Sequence, residues 1–535
     1  MTKSESFDIL FRNCVVIDGT GNPWYKADVG VKDDKIAEIG YLKDKAAKRT
    51  IDLKGHVLSP GFIDIHTHSD ITPFVAPEAD SHIFQGVTTD VIGNCGGSAA
   101  PVSDYLKEEE KLVAEQYNIE WDWNTFGEYL DKLDSLKCSI NLVPVVGQAT
   151  IRMAVMGMDN RPPTKAELER MKKHVAEAME SGAFGLSTGL WYAPSGFAKT
   201  DEVIELAKVA AKYGGIYTSH IRGEGDPLID AVNEAIEIGE KAGLPVEISH
   251  HKAMGMRNWG KVHETLRLMQ EARNRGVEVT ADVYAWTANA TGLTAMLPHW
   301  VHEGGKEAII KRLKDKKTRQ KIKEDIINGI PGWESLVSEC GWSRMMITRS
   351  PIHEEYEGKM VQDLADEKKM DAYDFVFDLL IEEECNVGIV IFSIGENDAM
   401  YVMGHPLTMI ASDSSSICPR GYIGKGKPHP RTYGNAVQFL GTYVRDKKLM
   451  PLEQGIRKLT SLPARKIGLR DRGIIAKRMA ADLVAFDPDT IANNATYQDP
   501  QRYPTGVHYV VVNGVIVIEN GKHLGKYPGK VLRKK

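Results

Sequence analysis

Two histidines separated by one residue offer the first chemistry in this sequence. His66 and His68 follow the apolar run 62–65, whose short length and branched residues predict a β-strand. Because alternate residues of a strand point to the same face, both imidazoles should project the same way from the strand's carboxyl end. Two neutral imidazoles on one side suit a divalent metal ion. Among 16 histidines such a pair is weak alone, so the interpretation depends on the rest of the chain.

A strand–helix pattern repeats through the middle of the chain. Four predicted helices each end near a glycine, and a predicted strand follows each glycine. The helices are at 166–180, 201–213, 228–242 and 262–275, and the strands are at 183–187, 216–219, 246–249 and 277–281. Repeats of this kind imply a parallel sheet. Four more predicted strands, at 62–65, 88–92, 141–146 and 407–411, complete eight and predict an α/β fold with a (β/α)8 barrel. A doubly wound open sheet is the alternative, but the chain has no GxGxxG fingerprint.

The two ends of the chain predict a second, smaller domain. Short alternating strands separated by turns are predicted within 7–58, and again at 481–486 and 509–518. We expect residues 1–58 and 467–535 to form one small β-sandwich domain beside a barrel domain at 59–466. Residues 284–406 are too long for a simple connection and predict an inserted subdomain before the last barrel strand. Such a subdomain could act as a lid over the barrel mouth.

Potential metal ligands share one position in this predicted barrel. Active sites of (β/α)8 barrels lie at the carboxyl ends of the strands. Six residues that can bind metal follow five of the predicted strands: His66, His68, Cys95, His220, His250 and Asp413. Their common location predicts a metal site, and cysteine together with histidine favours Zn²⁺ over Mg²⁺ or Ca²⁺, which prefer oxygen.

Composition excludes several other classes of protein. The 67 basic and 73 acidic residues give a net charge of −6, which argues against a general nucleic-acid binder. No apolar run is long enough to cross a membrane, and residues 1–8 lack the core of a signal peptide. Six scattered cysteines without a CxxC pair predict a cytoplasmic protein without a disulfide framework. The sequence leaves assembly into a homo-oligomer open.

Several motifs spread over nearly the whole chain resemble the amidohydrolase superfamily, and within it the N-acyl-D-amino-acid deacylase (D-aminoacylase) family. They are PGFIDIHTHSD at 60–70, GNCGG at 93–97, GLSTGLWYAP at 185–194, SHIRGE at 219–224, SHHK at 249–252, HPR at 429–431, VNG at 512–514 and PGKVLR at 528–533. In most relatives outside this family a carboxylated lysine helps to bind the metals. The cysteine after the second strand, here Cys95, is the mark of this family.

The resemblance implies a zinc-dependent hydrolase that cleaves N-acyl-D-amino acids to a carboxylic acid and a free D-amino acid. Cys95, His220 and His250 would bind a tightly held zinc, while His66, His68 and Asp413 would form a second, weaker position. Asp413 would also be the general base and then the general acid.

The resemblance also implies a clamp for the substrate's α-carboxylate, built from Arg431, Lys252 and Tyr284, with Tyr192 lining the pocket.

Two alternative functions stay open. One is another amidohydrolase, such as a D-hydantoinase or a dipeptidase; the other is a non-catalytic binding protein, which would be expected to have lost metal ligands. All six ligands are present.

Overall fold

The computed structural model describes residues 6–109 and 111–535, and within that part it has an α/β fold. Parallel strands in the middle of the chain alternate with helices, and antiparallel strands lie at the ends and in one insertion. The α/β class predicted from the sequence is therefore confirmed.

The strands that carry the metal-binding residues run parallel to one another. One sheet pairs Phe62–Asp64, Val87–Ile92 and Asn141–Pro144 in that order. The next continues from Val146–Gly147 through Gly185–Gly189, Ile216–His220, Val246–Ile248 and Val279–Val283 to Thr408–Ile410. A parallel bridge between Thr67 and Ser414 links the first strand of this series to the last. The carboxyl ends of the first and last strands consequently lie side by side.

Helices return the chain from one parallel strand to the next. Four of them lie within one or two residues of their predicted bounds, at Lys165–Glu180, Thr200–Lys212, Leu228–Ala242 and Lys261–Asn274. A capping box formed by Thr164 and Glu167 begins the first of these helices, because each side chain satisfies the other residue's free backbone N–H. Further helices include Phe126–Ser135, Gln148–Met156, Arg431–Gln438, Leu452–Leu459 and Ser461–Ile467.

The long segment between the last two parallel strands has its own small core. Its strands Asn289–Gly292, Met345–Arg349 and Gly388–Ile391 form an antiparallel sheet. Its helices include Gly305–Lys314, Lys316–Asn328, Leu336–Cys340, Val361–Glu367, Ala372–Glu382 and Glu396–Gly404. Leu293, Ile347 and Phe377 are among the buried side chains that pack in a cluster separate from the main core.

Both chain ends contribute to one nine-stranded mixed sheet. Its strands are Phe7–Val16, Tyr25–Lys32, Lys35–Gly40, Ala47–Asp52, Val57–Pro60, Leu483–Phe486, Val507–Val512, Val515–Glu519 and Lys522–His523. Val57–Pro60 pairs with Leu483–Phe486 and thereby joins the two ends. In the part of the chain that the structure describes, no helix has the length and apolar character needed to cross a membrane.

Candidate metal centre

His66 and His68 project from the end of the first parallel strand, as their spacing predicts. His66 is fully buried, and its Nδ1 lies 3.3 Å from Asp282, which fixes the orientation of the ring. Its Nε2 lies 3.2 Å from Cys95 Sγ and 3.5 Å from Asp413 Oδ1. His68 is more exposed, and its Nε2 lies 3.1 Å from the same Asp413 oxygen. Both rings therefore converge on one carboxylate.

Cys95 occupies a tight turn after the second strand. Gly93 begins this turn with φ of 87°, and a Cβ atom there would lie 1.9 Å from Val145 O, so only glycine fits. Gly189 is also required, since its Cβ would lie 2.2 Å from Cys95 O. The two glycines allow the backbone to bring Cys95 Sγ within 3.9 Å of His220 Nδ1 and 3.6 Å of His250 Nε2.

One carboxylate, that of Glu224, lies beside both His220 and His250. Glu224 Oε1 lies 2.9 Å from His250 Nδ1, and Glu224 Oε2 lies 3.7 Å from His220 Nε2. Each histidine thus turns one ring nitrogen toward Glu224 and the other toward Cys95. A carboxylate on the outer nitrogen is the usual way in which proteins orient metal-binding histidines.

Asp413 lies between the histidines of the first strand and Arg431. Arg431 Nη2 is 2.9 Å from Asp413 Oδ2 and donates to the Asp413 carbonyl oxygen at 2.6 Å. Arg431 is buried, and its Nε and Nη1 atoms find no hydrogen-bond partner among the described residues. Two buried cationic donors without a partner are costly, which points to an anionic ligand.

Charges within the site favour ionised ligands. Burial opposes ionisation of the Cys95 thiol, but His66 and the neighbouring histidines outweigh it and bring the pKa of Cys95 well below its usual value. Burial likewise opposes ionisation of Asp413, yet Arg431 and the histidines hold the pKa of Asp413 well below its usual value. Burial lowers the pKa of His220, so this imidazole is neutral. Burial opposes protonation of His66, His68 and His250, yet the neighbouring acidic groups raise the pKa of each of these histidines. Because metal binds thiolate, carboxylate and neutral imidazole, metal binding would displace protons from these three rings.

Three of these residues have an unusual backbone conformation. Cys95, His250 and Asp413 follow three different strands with φ of 51°, 36° and 50°. Residues other than glycine rarely adopt positive φ, and each such residue costs on the order of 1–3 kcal/mol. Because the surrounding structure must compensate for that cost, such strain is concentrated at functional sites.

The structure places the other predicted site residues around this centre. Lys252 Nζ lies 2.7 Å from Glu224 and 3.0 Å from His250 Nδ1. The ring of Tyr284 lies under the Arg431 guanidinium at 4.6 Å, and its hydroxyl is buried without a partner among the described residues. The hydroxyl of Tyr192 is 3.1 Å from Thr291 Oγ1 in the inserted segment.

A cavity of about 710 Å³ opens above the metal-binding residues. Cys95, His220, Asp413, Arg431 and Lys252 line its floor and wall. The inserted segment contributes further lining residues, which are Asn289, Ala290, Thr291, Thr294, Gly305, Lys306, Ile309, Glu384, Cys385 and Asn386. Tyr284 faces a small gap behind this wall instead, with His251 and Lys252.

Sequence reasoning gave no role to the two carboxylates that orient the histidines. Glu224 stands four residues after His220 in the same motif, and a search for a carboxylate close to each histidine would have found it. Asp282 follows a predicted strand, where it accepts the backbone N–H of His250 at 2.8 Å and contacts His66. The contacts of Asp282 and the contact between Glu224 and His250 cannot be read from spacing, because they depend on how neighbouring strands are aligned.

Comparison with known proteins defines the class to which this fold and site belong. A sequence model described as the amidohydrolase family matches residues 49–323 and 399–518. The chain therefore belongs to the amidohydrolase family.

Within the family, the chain is similar over its whole length to deacylases of D-amino acids. It is 35% identical to a D-aminoacylase of Alcaligenes xylosoxydans xylosoxydans over 529 residues, which are 99% of this chain and 98% of that protein. It is 34% identical to an N-acyl-D-glutamate deacylase of the same organism, covering 99% and 97% of the two chains. The crystal structure of an N-acyl-D-glutamate deacylase from Bordetella bronchiseptica, complexed with zinc and a phosphonate mimic of the tetrahedral intermediate, matches with a TM-score of 0.82. That match has 33% identity and covers 99% of this chain and 100% of the other.

Proposed function

We propose that this protein is a zinc-dependent hydrolase that cleaves the amide bond of N-acyl-D-amino acids to a carboxylic acid and a free D-amino acid. One observation carries the proposal: the cluster of Cys95, histidines and Asp413 lies beside a buried arginine with two unpartnered donors. The first feature suits metal-assisted hydrolysis, and the second suits a substrate with a free carboxylate. The whole-length similarity to D-amino-acid deacylases supports the same reaction.

The donor set fits zinc. Ligand atoms of His66, Cys95, His250 and Asp413 lie within 4.8 Å of one another, and His220, Glu224 and His250 form an adjoining group. In this proposal Cys95, His220 and His250 bind the tightly held ion, and His66, His68 and Asp413 provide a second, weaker position. Thiolate and imidazole ligands favour zinc. The similar Bordetella deacylase was also crystallised with zinc, which supports the same metal here.

Proton transfer is assigned to Asp413. When bound, zinc makes a water acidic enough to act as a nucleophile at neutral pH and polarises a carbonyl group. Asp413 is ionised and faces His66 and His68, so its carboxylate can accept the proton of the attacking water. It can then return that proton to the departing amine, which leaves as the free amino group.

Substrate recognition is assigned to the cationic wall of the cavity. Arg431 lines the cavity and has donors without a partner among the described residues, which supports pairing with the α-carboxylate, and Lys252 adds a second positive charge. Tyr284 supports the guanidinium from below, and Tyr192 lines the cavity. With the carboxylate and the amide carbonyl both fixed, the two enantiomers would direct their side chains to different sides of the cavity, so the proposal expects one of them to be strongly preferred.

The proposal includes an architecture. The parallel strands would form one closed (β/α)8 barrel within residues 59–466, with residues 1–58 and 467–535 as a β-sandwich domain. The bridge between Thr67 and Ser414 and the shared nine-stranded sheet support this division. Residues 284–406 would be a subdomain that moves as a lid, since its segments line the cavity. The protein would act on small molecules in the cytoplasm, without nucleic-acid or membrane partners, and could form homo-oligomers.

A hydrolysis screen tests this function. N-acetyl amino acids in both enantiomers should be compared with a 5-substituted D-hydantoin, a cyclic substrate without a free carboxylate. The proposal predicts release of D-amino acids from the linear substrates, with the L-enantiomers at least about 100-fold slower, since a misplaced reacting group can cost that much. Faster opening of the hydantoin would replace the proposal by the cyclic-amidase alternative.

A further inference from the structure

A second cavity lies next to the main one, beside the metal-binding residues. It has a volume of about 260 Å³, and it shares His68, Gly97 and Met153 with the lining of the larger cavity. Beyond these shared residues its wall comes from other parts of the chain, mainly residues 98–106 and Trp121. The two cavities therefore adjoin near His68, one of the proposed metal ligands.

The wall of this second cavity is mostly apolar. Its side chains include Ile71, Ala99, Pro101, Val102, Leu106 and Trp121. Two polar members satisfy one another, since Thr150 Oγ1 donates to Ser98 O at 2.9 Å and accepts from Ser98 N at 2.9 Å. The Ser98 hydroxyl donates to Ala100 O at 2.6 Å. Asp70 supplies the carboxyl group in the wall, and Asp70 Oδ1 and Trp121 Nε1 are the buried wall atoms that find no hydrogen-bond partner among the described residues. The space thus suits a ligand that is neutral and mainly apolar.

The positions of the Arg431 and Lys252 side chains indicate which part of the substrate would enter the second cavity. Arg431 and Lys252 line the main cavity and lie outside the lining of the second one. An amide carbonyl carbon carries the amino acid on one side and the acyl group on the other. If the carboxylate binds at Arg431, the acyl group must leave the metal centre in another direction, and the second cavity offers that direction.

We propose that the cavity lined by Ile71, Ala99, Val102, Leu106 and Trp121 binds the acyl chain of the substrate, and that it favours aliphatic acyl groups longer than acetyl. This inference rests on the proposed deacylase function. Each methylene that leaves water for an apolar cavity should raise kcat/KM by about four-fold. The gain from acetyl to hexanoyl, four methylenes, is then about 200-fold. A succinyl group should be disfavoured, because its carboxylate would lose water next to apolar walls and Asp70.

The test compares acetyl, butanoyl, hexanoyl and succinyl derivatives of D-methionine on the zinc-loaded enzyme. The proposal expects kcat/KM to rise along the neutral series and succinyl to lie below butanoyl. Val102→Phe, which fills the cavity, should lower the hexanoyl-to-acetyl ratio by at least about ten-fold, since more than one methylene loses its place. The matched control is Val209→Phe, on the half-buried face of the helix Thr200–Lys212, which should keep the wild-type ratio.

The outcomes separate this inference from the function on which it rests. If kcat/KM of the wild type stayed constant or fell from acetyl to hexanoyl, the proposed acyl site would be wrong. Hydrolysis of the acetyl derivative would still support the deacylase function. Failure to hydrolyse any D-derivative would overturn the function itself. The acyl site would also be wrong if a folded Val102→Phe variant kept the wild-type hexanoyl-to-acetyl ratio. The wild-type series decides the question even if the variant does not fold.

Discussion

Arg431 is bound to Asp413 twice, through the carboxylate at 2.9 Å and through the backbone carbonyl at 2.6 Å. The proposed substrate clamp and the proposed proton carrier are therefore one unit. Arg431 keeps Asp413 ionised against the effect of burial, and its Nε and Nη1 atoms have no hydrogen-bond partner among the described residues.

Replacing Arg431 should therefore affect both binding and proton transfer. Losing one partner of a desolvated charged pair costs about 2–5 kcal/mol, so kcat/KM of Arg431→Met should fall by roughly 30- to 4,000-fold. Most of the fall should appear in KM. The acidic limb of the pH–rate profile should also move to higher pH, because removal of the positive charge raises the pKa of Asp413.

The corresponding α-carboxamide substrate separates these two effects. It lacks the charge that Arg431 binds, so its turnover should lose only the part that depends on proton transfer. Arg502→Met serves as the control, since Arg502 is exposed and pairs only with Asp499. Equal losses for the acid and the carboxamide would mean that the carboxylate binds elsewhere.

Asp413→Asn should abolish most turnover. Asparagine keeps the size of the side chain but cannot accept the proton, so kcat should fall by about 10²- to 10⁴-fold. Zinc should stay bound through Cys95, His220 and His250, which metal analysis of the variant can check. Asp413 would not be the proton carrier if the variant kept more than about a tenth of wild-type kcat.

Glu224 gives a prediction that the sequence did not suggest. Glutamine at this position loses the negative charge that lies beside His250, His220 and Lys252, so zinc affinity should fall by about 10- to 100-fold. Competition with a chromogenic chelator measures this change. Glu237→Gln, on the exposed side of the helix Leu228–Ala242, should bind zinc like the wild type. Unchanged zinc affinity in Glu224→Gln would refute the orienting role.

Glu334 predicts a pH dependence of stability. This carboxyl of the inserted segment accepts the backbone N–H groups of Glu224 and Gly225 at 3.0 and 2.6 Å. Burial, and then the charge of Glu339, raise the pKa of Glu334 from 4.5 to about 8. Between these pH values the folded protein binds more protons than the unfolded chain, so the contribution of Glu334 to stability decreases as pH rises.

Glu334→Gln tests that sign. The glutamine side chain does not titrate, so the variant should not share the loss of stability that the wild type shows as pH rises. The melting temperature of the variant minus that of the wild type should therefore increase from pH 5 to pH 9. Glu307→Gln, at an exposed position of the same segment, should follow the wild type at every pH. A constant difference between Glu334→Gln and the wild type would show that Glu334 does not titrate in this range.

Local pattern was sufficient to predict the parallel strands and their helices, because period and turn residues are local properties. The same pattern predicted all six proposed ligands at the carboxyl ends of the parallel strands, since these strand ends share one edge of the sheet. The Arg431–Asp413 pair joins residues 18 positions apart across a loop, and no spacing rule predicts it. The roles of Glu224 and Asp282 depend on strand register and on loop conformation, which only the folded chain determines.

Zinc-dependent cleavage by the Cys95 centre is tested most directly by adding zinc back to metal-free protein. The rate of N-acetyl-D-methionine hydrolysis should be near zero without metal and should reach its plateau as the tightly held zinc is filled. Cys95→Ser should retain the fold by circular dichroism but bind far less zinc and recover little activity, since the hydroxyl is not a thiolate. Full zinc content and full activity in Cys95→Ser would contradict the assignment of this centre.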